Sequence, residues 1–573
     1  MNTYPIIGCI PKSRRFQFFF LFFYSVFALA GTANQLFNAS TGFDNQPHSQ
    51  TDPGIPFMRH YFANDYNAHR ENWAILQDDR GMMYFGNSRG ILEFDGVSWR
   101  LIQTPNASIV RSLALGKDNR IYAGAMGDFG YLAPDSTGDL QFVSLLELVP
   151  DTQRDFGDVW QTIVAADGIY FRSRKYLFRL LNEVLTVWEA ESSFYSPFSY
   201  NGRFYIVQSR HSLMVVDGDS LVTAPAGDEF QAIYPYAMLP YGNDQLLLGA
   251  YSGELFLYDQ NTLVSFPTSA DKLLKSHSIY HGAILPDSTY AFSVTGLGII
   301  IIDRDGGLVQ ILDKSAGLSD NEINYLYVDR DGSLWLAHKA GISRIEYSSG
   351  FTHFDERIGL RGTVRDILRF NGALYAATSL GVFYLAATTS SPGHENEPLA
   401  FRTSKFIQLP EITVPCWALL SDGESLLIAS DHGVWELKGD RFRLLSMDQS
   451  QTFTLLRSRH DSLRIYAGLI DGVGELRFNG GEWNYAGKIH GIHEDIRYMT
   501  EDHNGALWLG TRYQGVLRVE SVNRIKSDKW NIERYDTTNG LPAIGLNYPF
   551  ETPLGNRFAT RQGLHYFDEE TRR

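Results

Sequence analysis

Apolar and polar residues alternate along most of this chain in short runs broken by glycine. "VDRDGSLWLAHKAGISRI" (328–345) and "EDHNGALWLGTRYQGVLRV" (501–519) show the pattern most clearly. The runs are too short for helices and rich in β-branched and aromatic residues, so each predicts a strand, with the Gly-bearing breaks as turns. The unit is an apolar strand, a polar turn, a Gly-x-apolar-aromatic strand, a second Gly turn and a third strand. Clear copies are "AILQDDRGMMYFGNSRGILEFDG" (74–96), "RSLALGKDNRIYAGAMGDFGYL" (111–132) and "DILRFNGALYAATSLGVFYL" (366–385). Weaker copies fall at 162–180, 198–218, 236–259 and 282–303, and others at 418–437, 455–476 and 549–568. With the two quoted first, twelve units align. From Gly81 to Gly555 they repeat every 43 residues or so, the period of β-propeller blades of three or four short strands.

The unit's chemistry fits a blade. In "DRDGSLW" the Asp-Gly pair predicts a tight turn in which Gly332 takes a positive φ and an Asp side chain bonds nearby backbone. Leu334 and Trp335 then point to opposite faces of the next strand, so both faces must be buried against neighbouring units. Gly341 makes the following turn, and the same spacing recurs at Gly81/Gly90 and Gly372/Gly381. The "DRDG" segments at 303 and 329 match a fragment of a calcium loop but lack its other ligands and terminal Glu, so they read as hairpin turns.

The expected fold is all-β, with tandem β-propellers. Twelve blades exceed one ordinary ring, and seven would carry the chain from about residue 50 to about 350. The expected division is a first seven-bladed propeller at 50–350, a link within "SSGFTHFDERIGLRG" (348–362), and a second propeller at 351–573. The second has about five blades and is either a five-bladed ring or an incomplete larger one.

The phrase at Asp502–Arg518, its looser form at Asp329–Arg344, and the lead-ins "AGLSDNEI" (316–323) and "NGLPAIGLNY" (539–548) resemble the two-component regulator propeller repeat. The opening "NWAILQDDRGMMYFGNSRGILEFDGVSW" (72–99) is similar to the start of exported sensor regions in Bacteroidetes-type triple-tyrosine-motif and hybrid two-component regulators. The resemblance implies two seven-bladed rings, a small sandwich bearing three tyrosines, a membrane helix and a cytoplasmic output domain. It also implies a homodimer in the full-length receptor. This sequence stops after the twelfth unit, so the resemblance implies a truncated sensor that meets the membrane only through C-terminal segments it lacks.

Composition narrows the class. Hydrophobic residues at 44% and charged residues at 20% describe a folded chain. A net charge of −15 with no basic cluster past the N-terminus argues against nucleic acid as a partner. Lys12, Arg14 and Arg15 precede an uncharged apolar run, Phe16 to Ala30, that ends in small residues. This is the order of a secretory signal, residues 1–33, cleaved after Ala30 or Ala33. The run falls short of the ~20 residues that span a bilayer. Cys9 precedes the basic residues, the wrong order for a lipoprotein box. Removal of the signal leaves Cys416 as the single cysteine and no internal disulfide. The chain is therefore expected to be exported, periplasmic in a receptor or secreted if it stands alone.

No catalytic motif is present: no G-x-S-x-G, P-loop, H-E-x-x-H or C-x-x-C. No cofactor, resident metal or enzymatic activity is expected, and any kinase or other output domain lies outside this chain. His490, His493, Glu494 and Asp495, and likewise His277 with His281, read as polar loop residues rather than metal ligands. Binding is the stronger expectation, because propeller inner strands and the loops leading into them line a central funnel. The side chains at those entries are Arg111, Trp160, Tyr236, His281, Arg365, Trp417, Arg497 and Tyr498. Aromatic faces with Arg donors suit sugars and acidic oligosaccharides. The expected function is an exported ligand-sensing propeller region of a bacterial transmembrane regulator, its partner an extracellular oligosaccharide or other small molecule. The alternatives are a stand-alone secreted glycan-binding propeller and a secreted propeller lyase or hydrolase.

Overall fold

The computed structural model describes residues 54–572, apart from 210–211, 243, 387–404, 446, 449, 522–528 and 554. Residues 1–33, expected to be a secretory signal, lie outside the described residues. The chain is all-β and divides into two units, the first running to Ile358 and the second starting at Gly359.

The first unit holds seven antiparallel four-stranded sheets. Their inner strands are Asn72–Gln77, Val110–Leu115, Gln161–Ala165, Phe194–Tyr200, Pro235–Tyr241, Ile279–Ile284 and Ile323–Val328. Each packs on the next, and the seventh packs back on the first, which closes a ring. Between neighbouring sheets lies a separate apolar cluster, because both faces of each blade are hydrophobic. At the seventh-to-first junction, Tyr61, Trp335, Phe85 and Phe94 form such a cluster.

Six sheets take all four strands from consecutive sequence. The seventh takes three, Ile323–Val328, Leu334–His338 and Gly341–Ile345, and borrows its outermost strand, Met58–Tyr61, from the start of the unit. A second N-terminal strand, Ile55–Pro56, pairs with Thr352–His353. The borrowed strand is also tied by side chains. His60 bonds Ser343 Oγ at 2.8 Å and the Gly317 carbonyl at 3.0 Å. Ser343 and Ser319 in turn bond His338 Nε2 at 2.9 and 3.1 Å.

The repeat phrase has a physical origin visible in the seventh sheet. Asp329 Oδ1 accepts the amides of Asp331 (3.0 Å) and Ser333 (2.8 Å), and Oδ2 accepts the indole N–H of Trp335 (2.7 Å). The turn aspartate thus satisfies both its own turn and a buried tryptophan two turns of the pleat away. Asp502 does the same for Asn504, Ala506 and Trp508. Gly332 has φ 77° as the turn requires, whereas Gly341, at φ 156°, lies so close to the Tyr61 carbonyl that a Cβ would overlap it. The first glycine of the motif makes a turn; the second admits the outermost strand.

The second unit holds five sheets, four with four strands and the last with three, Tyr548–Thr552, Gly555–Thr560 and Gly563–Tyr566. Their inner strands pack in sequence, with four apolar clusters between them. Among the described residues, packing of that extent does not join the inner strand of the fifth sheet to that of the first. Val364, Ile367, Leu380 and Ile407 of its first sheet and Leu564 and Tyr566 of its last are exposed.

Candidate functional site at the axis of the first ring

Six of the seven inner strands share an irregularity that decides what faces the axis. Pairing of the first inner strand with its neighbour jumps from Asn72 to Ala74, leaving Trp73 unpaired. The same one-residue bulge leaves Arg111, Tyr236, Tyr280 and Asn324 unpaired in four other sheets. In the fourth sheet the shift runs from Tyr195 to Phe198. A bulge bends the strand and re-aims the extra side chain. Here it delivers a large or polar residue to one axial cavity of about 600 Å³, to which all seven inner strands contribute.

One wall is built from stacked aromatics and guanidinium groups. The Arg111 guanidinium lies 3.8 Å from the Trp73 ring and 4.5 Å from the Trp160 ring, while its Nε donates to Asp158 at 3.1 Å. The Arg174 guanidinium lies 5.7 Å from the centre of the same Trp160 ring. Tyr236, which also lines the cavity, packs on Tyr251 at 5.2 Å and on Tyr280 at 5.7 Å. Burial raises the pKa of the Tyr236 and Tyr280 phenols, so both are neutral donors. His281 packs on Tyr325 at 4.0 Å, and its Nδ1 accepts the Leu326 amide at 3.3 Å, which leaves the proton on Nε2. Burial pushes its pKa down to about 4, so the ring is neutral.

Arg111, Trp160, Tyr236 and His281, expected from sequence as ligand-contacting, all line this cavity. Trp73, Arg172, Tyr195, Tyr280 and Asn324 line it too and were missed. The signal was available for most of them. In "NWAIL", "VRSLAL", "PYAML", "IYHGAI" and "INYLYV" the second letter is the bulged residue, and aligned units show that column as aromatic, Arg or Asn. Arg172, on the second strand of its sheet, has no such marker.

The other four expected residues sit in the second unit. Arg365, Trp417 and Arg497 occupy the same bulge column, as does Phe453. Arg365 stacks on Trp417 at 3.8 Å, and Arg497 lies 3.4 Å from the Phe453 ring and 5.8 Å from Trp417. Tyr498, one place beyond its bulge, packs on Tyr548 at 4.1 Å. These form a ladder of stacked side chains along the inner strands of the second unit. Glu494 is held by Arg534 at 2.9 Å and Asp495 by Arg497 at 2.7 Å. Among the described residues no group of three or more His, Cys, Asp or Glu side chains is placed to hold a metal ion.

Comparison with known proteins places this architecture. Residues 317–339, which span the seventh-sheet lead-in and the Asp329 turn, match the family model described as Two component regulator propeller. The chain carries the two-component regulator propeller repeat. Among solved structures it is similar to the extracellular domain assigned to the hybrid two component system BT3049 from B. thetaiotaomicron, with TM-score 0.64 and 15% identity. That match covers 89% of this chain and 71% of the other. A second, the extracellular domain assigned to the one component system BT4673 from B. thetaiotaomicron, has TM-score 0.40 and 14% identity and covers 91% and 79%. A virginiamycin B lyase from Staphylococcus aureus matches with TM-score 0.38 and 11% identity, covering 50% of this chain and 98% of the lyase. No curated protein matches. At 15% identity the first of these likenesses is one of fold alone. No helix among the described residues is long and apolar enough to cross a membrane.

Proposed function

We propose that this chain is the exported, ligand-sensing region of a bacterial membrane signalling protein and that the axial cavity of the first ring binds its ligand, a glycan fragment. The observation that carries the reading is the convergence of all seven inner strands on one cavity of about 600 Å³, a volume within the range of small-molecule sites. Structure alone would not require it. Bulges cost ladder hydrogen bonds, and the residues they present are aromatics, an arginine and an asparagine rather than the aliphatic side chains that fill a closed core. Trp73, Trp160, Tyr236 and Tyr280 offer flat faces for sugar rings, and the neutral phenols and His281 offer donors and acceptors for hydroxyls. The match of the repeat to a two-component regulator propeller supports a sensing role over catalysis. On this reading the output is delivered by other segments of the receptor, which acts as a homodimer.

The test is a saccharide array probed with the full chain, followed by titration of each hit against wild type, Trp73→Ala and Tyr280→Ala. Loss of one stacking face should weaken binding by roughly tenfold, about 1.4 kcal/mol. Hits that bind both variants as tightly as wild type would place the site elsewhere and defeat the proposal.

A further inference from the structure

Arg172 ends the strand Gly168–Arg172 and is 8% exposed, yet it lines the axial cavity. Its Nη2 donates to Gln161 Oε1 at 2.5 Å and its Nη1 to the Phe194 carbonyl at 3.4 Å. Its Nε, also buried, has no partner. Among the described residues no carboxylate lies within ion-pair distance of it. Its charged neighbours make matters worse: Arg174 is close enough to oppose its charge, and the groups around it that favour the charge are the phenols of Tyr195, Tyr236 and Tyr280. The carboxylates near the cavity are engaged with other residues. Asp158 is taken by Arg111, and Glu71 is felt at Tyr280.

A buried guanidinium without a counter-ion is costly, and burial pulls its pKa down to about 10. Its two hydrogen bonds, to an amide and a carbonyl, need donors but no charge. The chain as a whole carries −15, so three arginines facing one cavity run against its general charge. Resting on the reading of this cavity as the ligand site, we infer that Arg172 seats an acid group of the ligand, a carboxylate or sulfate on a sugar, which supplies the missing counter-ion. Arg174 adds a second charge at the same wall. Trp160 and Tyr236 hold the ring that bears the acid.

The experiment is a fluorescence titration of the full chain, with Trp73 and Trp160 as reporters. The probes are trigalacturonate, its methyl ester and a sulfated disaccharide, each applied to wild type, Arg172→Gln and Arg172→Lys. A charge-assisted, desolvated contact predicts that one acid probe binds at least roughly tenfold tighter than the neutral ester. That preference should vanish in Arg172→Gln, survive in part in Arg172→Lys, and shrink with added salt. Whichever acid shows it distinguishes carboxylate from sulfate. The inference is overturned if neither acid is preferred, or if the preference survives Arg172→Gln. Should Arg172→Gln fail to fold, the wild-type comparison of acid with ester and the lysine variant decide. The two readings fail separately. Neutral sugar that binds and is weakened by Trp73→Ala, with no acid preference, leaves the cavity as the site and removes the anion. Acid probe that binds Trp73→Ala and Tyr280→Ala as tightly as wild type removes the cavity itself.

Discussion

The bond from Asp329 to the Trp335 indole gives a physical reason for the repeat's D-x-D-G-x-L-W phrase, and it can be tested as a pair. Asp329 is 7% exposed and Trp335 3% exposed, so neither side chain can turn to water when its partner is lost. In Asp329→Asn the amide can keep its oxygen toward the two turn amides or toward the indole, but not both, so a donor always faces a donor. Losing one charge-assisted bond and leaving a buried N–H unmet should cost about 2–4 kcal/mol. Trp335→Phe removes the donor while keeping most of the ring and should cost about 1–3 kcal/mol. Once the indole N–H is gone, the aspartate change has less to break. The double variant should therefore cost about 1–2 kcal/mol less than the sum of the singles. The assay is chemical denaturation of the full chain, with the first-unit transition identified by amide exchange across residues 323–345. Asp502→Asn, which disrupts the matching bond to Trp508, should shift the second unit in the same way. Additivity of the Asp329 and Trp335 changes within about 0.5 kcal/mol would refute the coupling and reduce the phrase to separate turn and core preferences.

Other consequences follow from the same geometry. Burial holds His338 down to about 4, below its unfolded value of 6.5. Its neutral form therefore contributes stability that is full above pH 6.5 and lost as pH falls through about 4, worth about 3 kcal/mol in all. Melting of wild type against His338→Gln between pH 7.5 and 4.5 should show a steeper decline in wild type, and parallel curves would count against the buried histidine. Gly341→Ala should push the borrowed strand Met58–Tyr61 off its neighbour, costing about 2–4 kcal/mol and exposing those amides to exchange. Gly96→Ala, where nothing crowds the added Cβ, should cost about 1 kcal/mol; equal costs would contradict the close-approach argument. Burial pushes the Cys416 thiol up to about 12, so native protein should be inert to a thiol reagent at pH 8 and react fully when denatured. Reaction at the rate of a free thiol would show that the core around it opens.

The blades were legible because their signals are local. A two-residue alternation, an Asp-Gly turn and a glycine nine residues on are each dictated within one unit, and a recurring period multiplies the evidence. The borrowed strand was not legible: "MRHY" carries no mark of its partner, since pairing with Gly341–Ile345 bridges nearly the whole unit and depends on ring closure. The turn aspartate's bond to Trp335 was half legible, the turn from its sequence and the indole only from the pleat that brings it back. At the candidate site, entry residues such as Arg111 and Tyr236 could be placed by position alone. The bulge that aims them could not, because a register shift is a relation between two strands. His281 was chosen one place past its bulge at Tyr280, and Tyr498 was chosen alongside the bulged Arg497, for that reason. Arg172 lay beyond reach, because it sits on the second strand of its sheet and nothing in "GIYFRSR" marks it as facing the axis.

The central claim is that the axis of the first ring is where a ligand binds. A crystal structure of the full chain with the tightest-binding saccharide tests it most directly. The account predicts sugar density between Trp73, Trp160, Tyr236 and Tyr280, with an acid group against Arg172. Saccharide bound at another surface, with the axial cavity unfilled and those side chains unmoved, would contradict it.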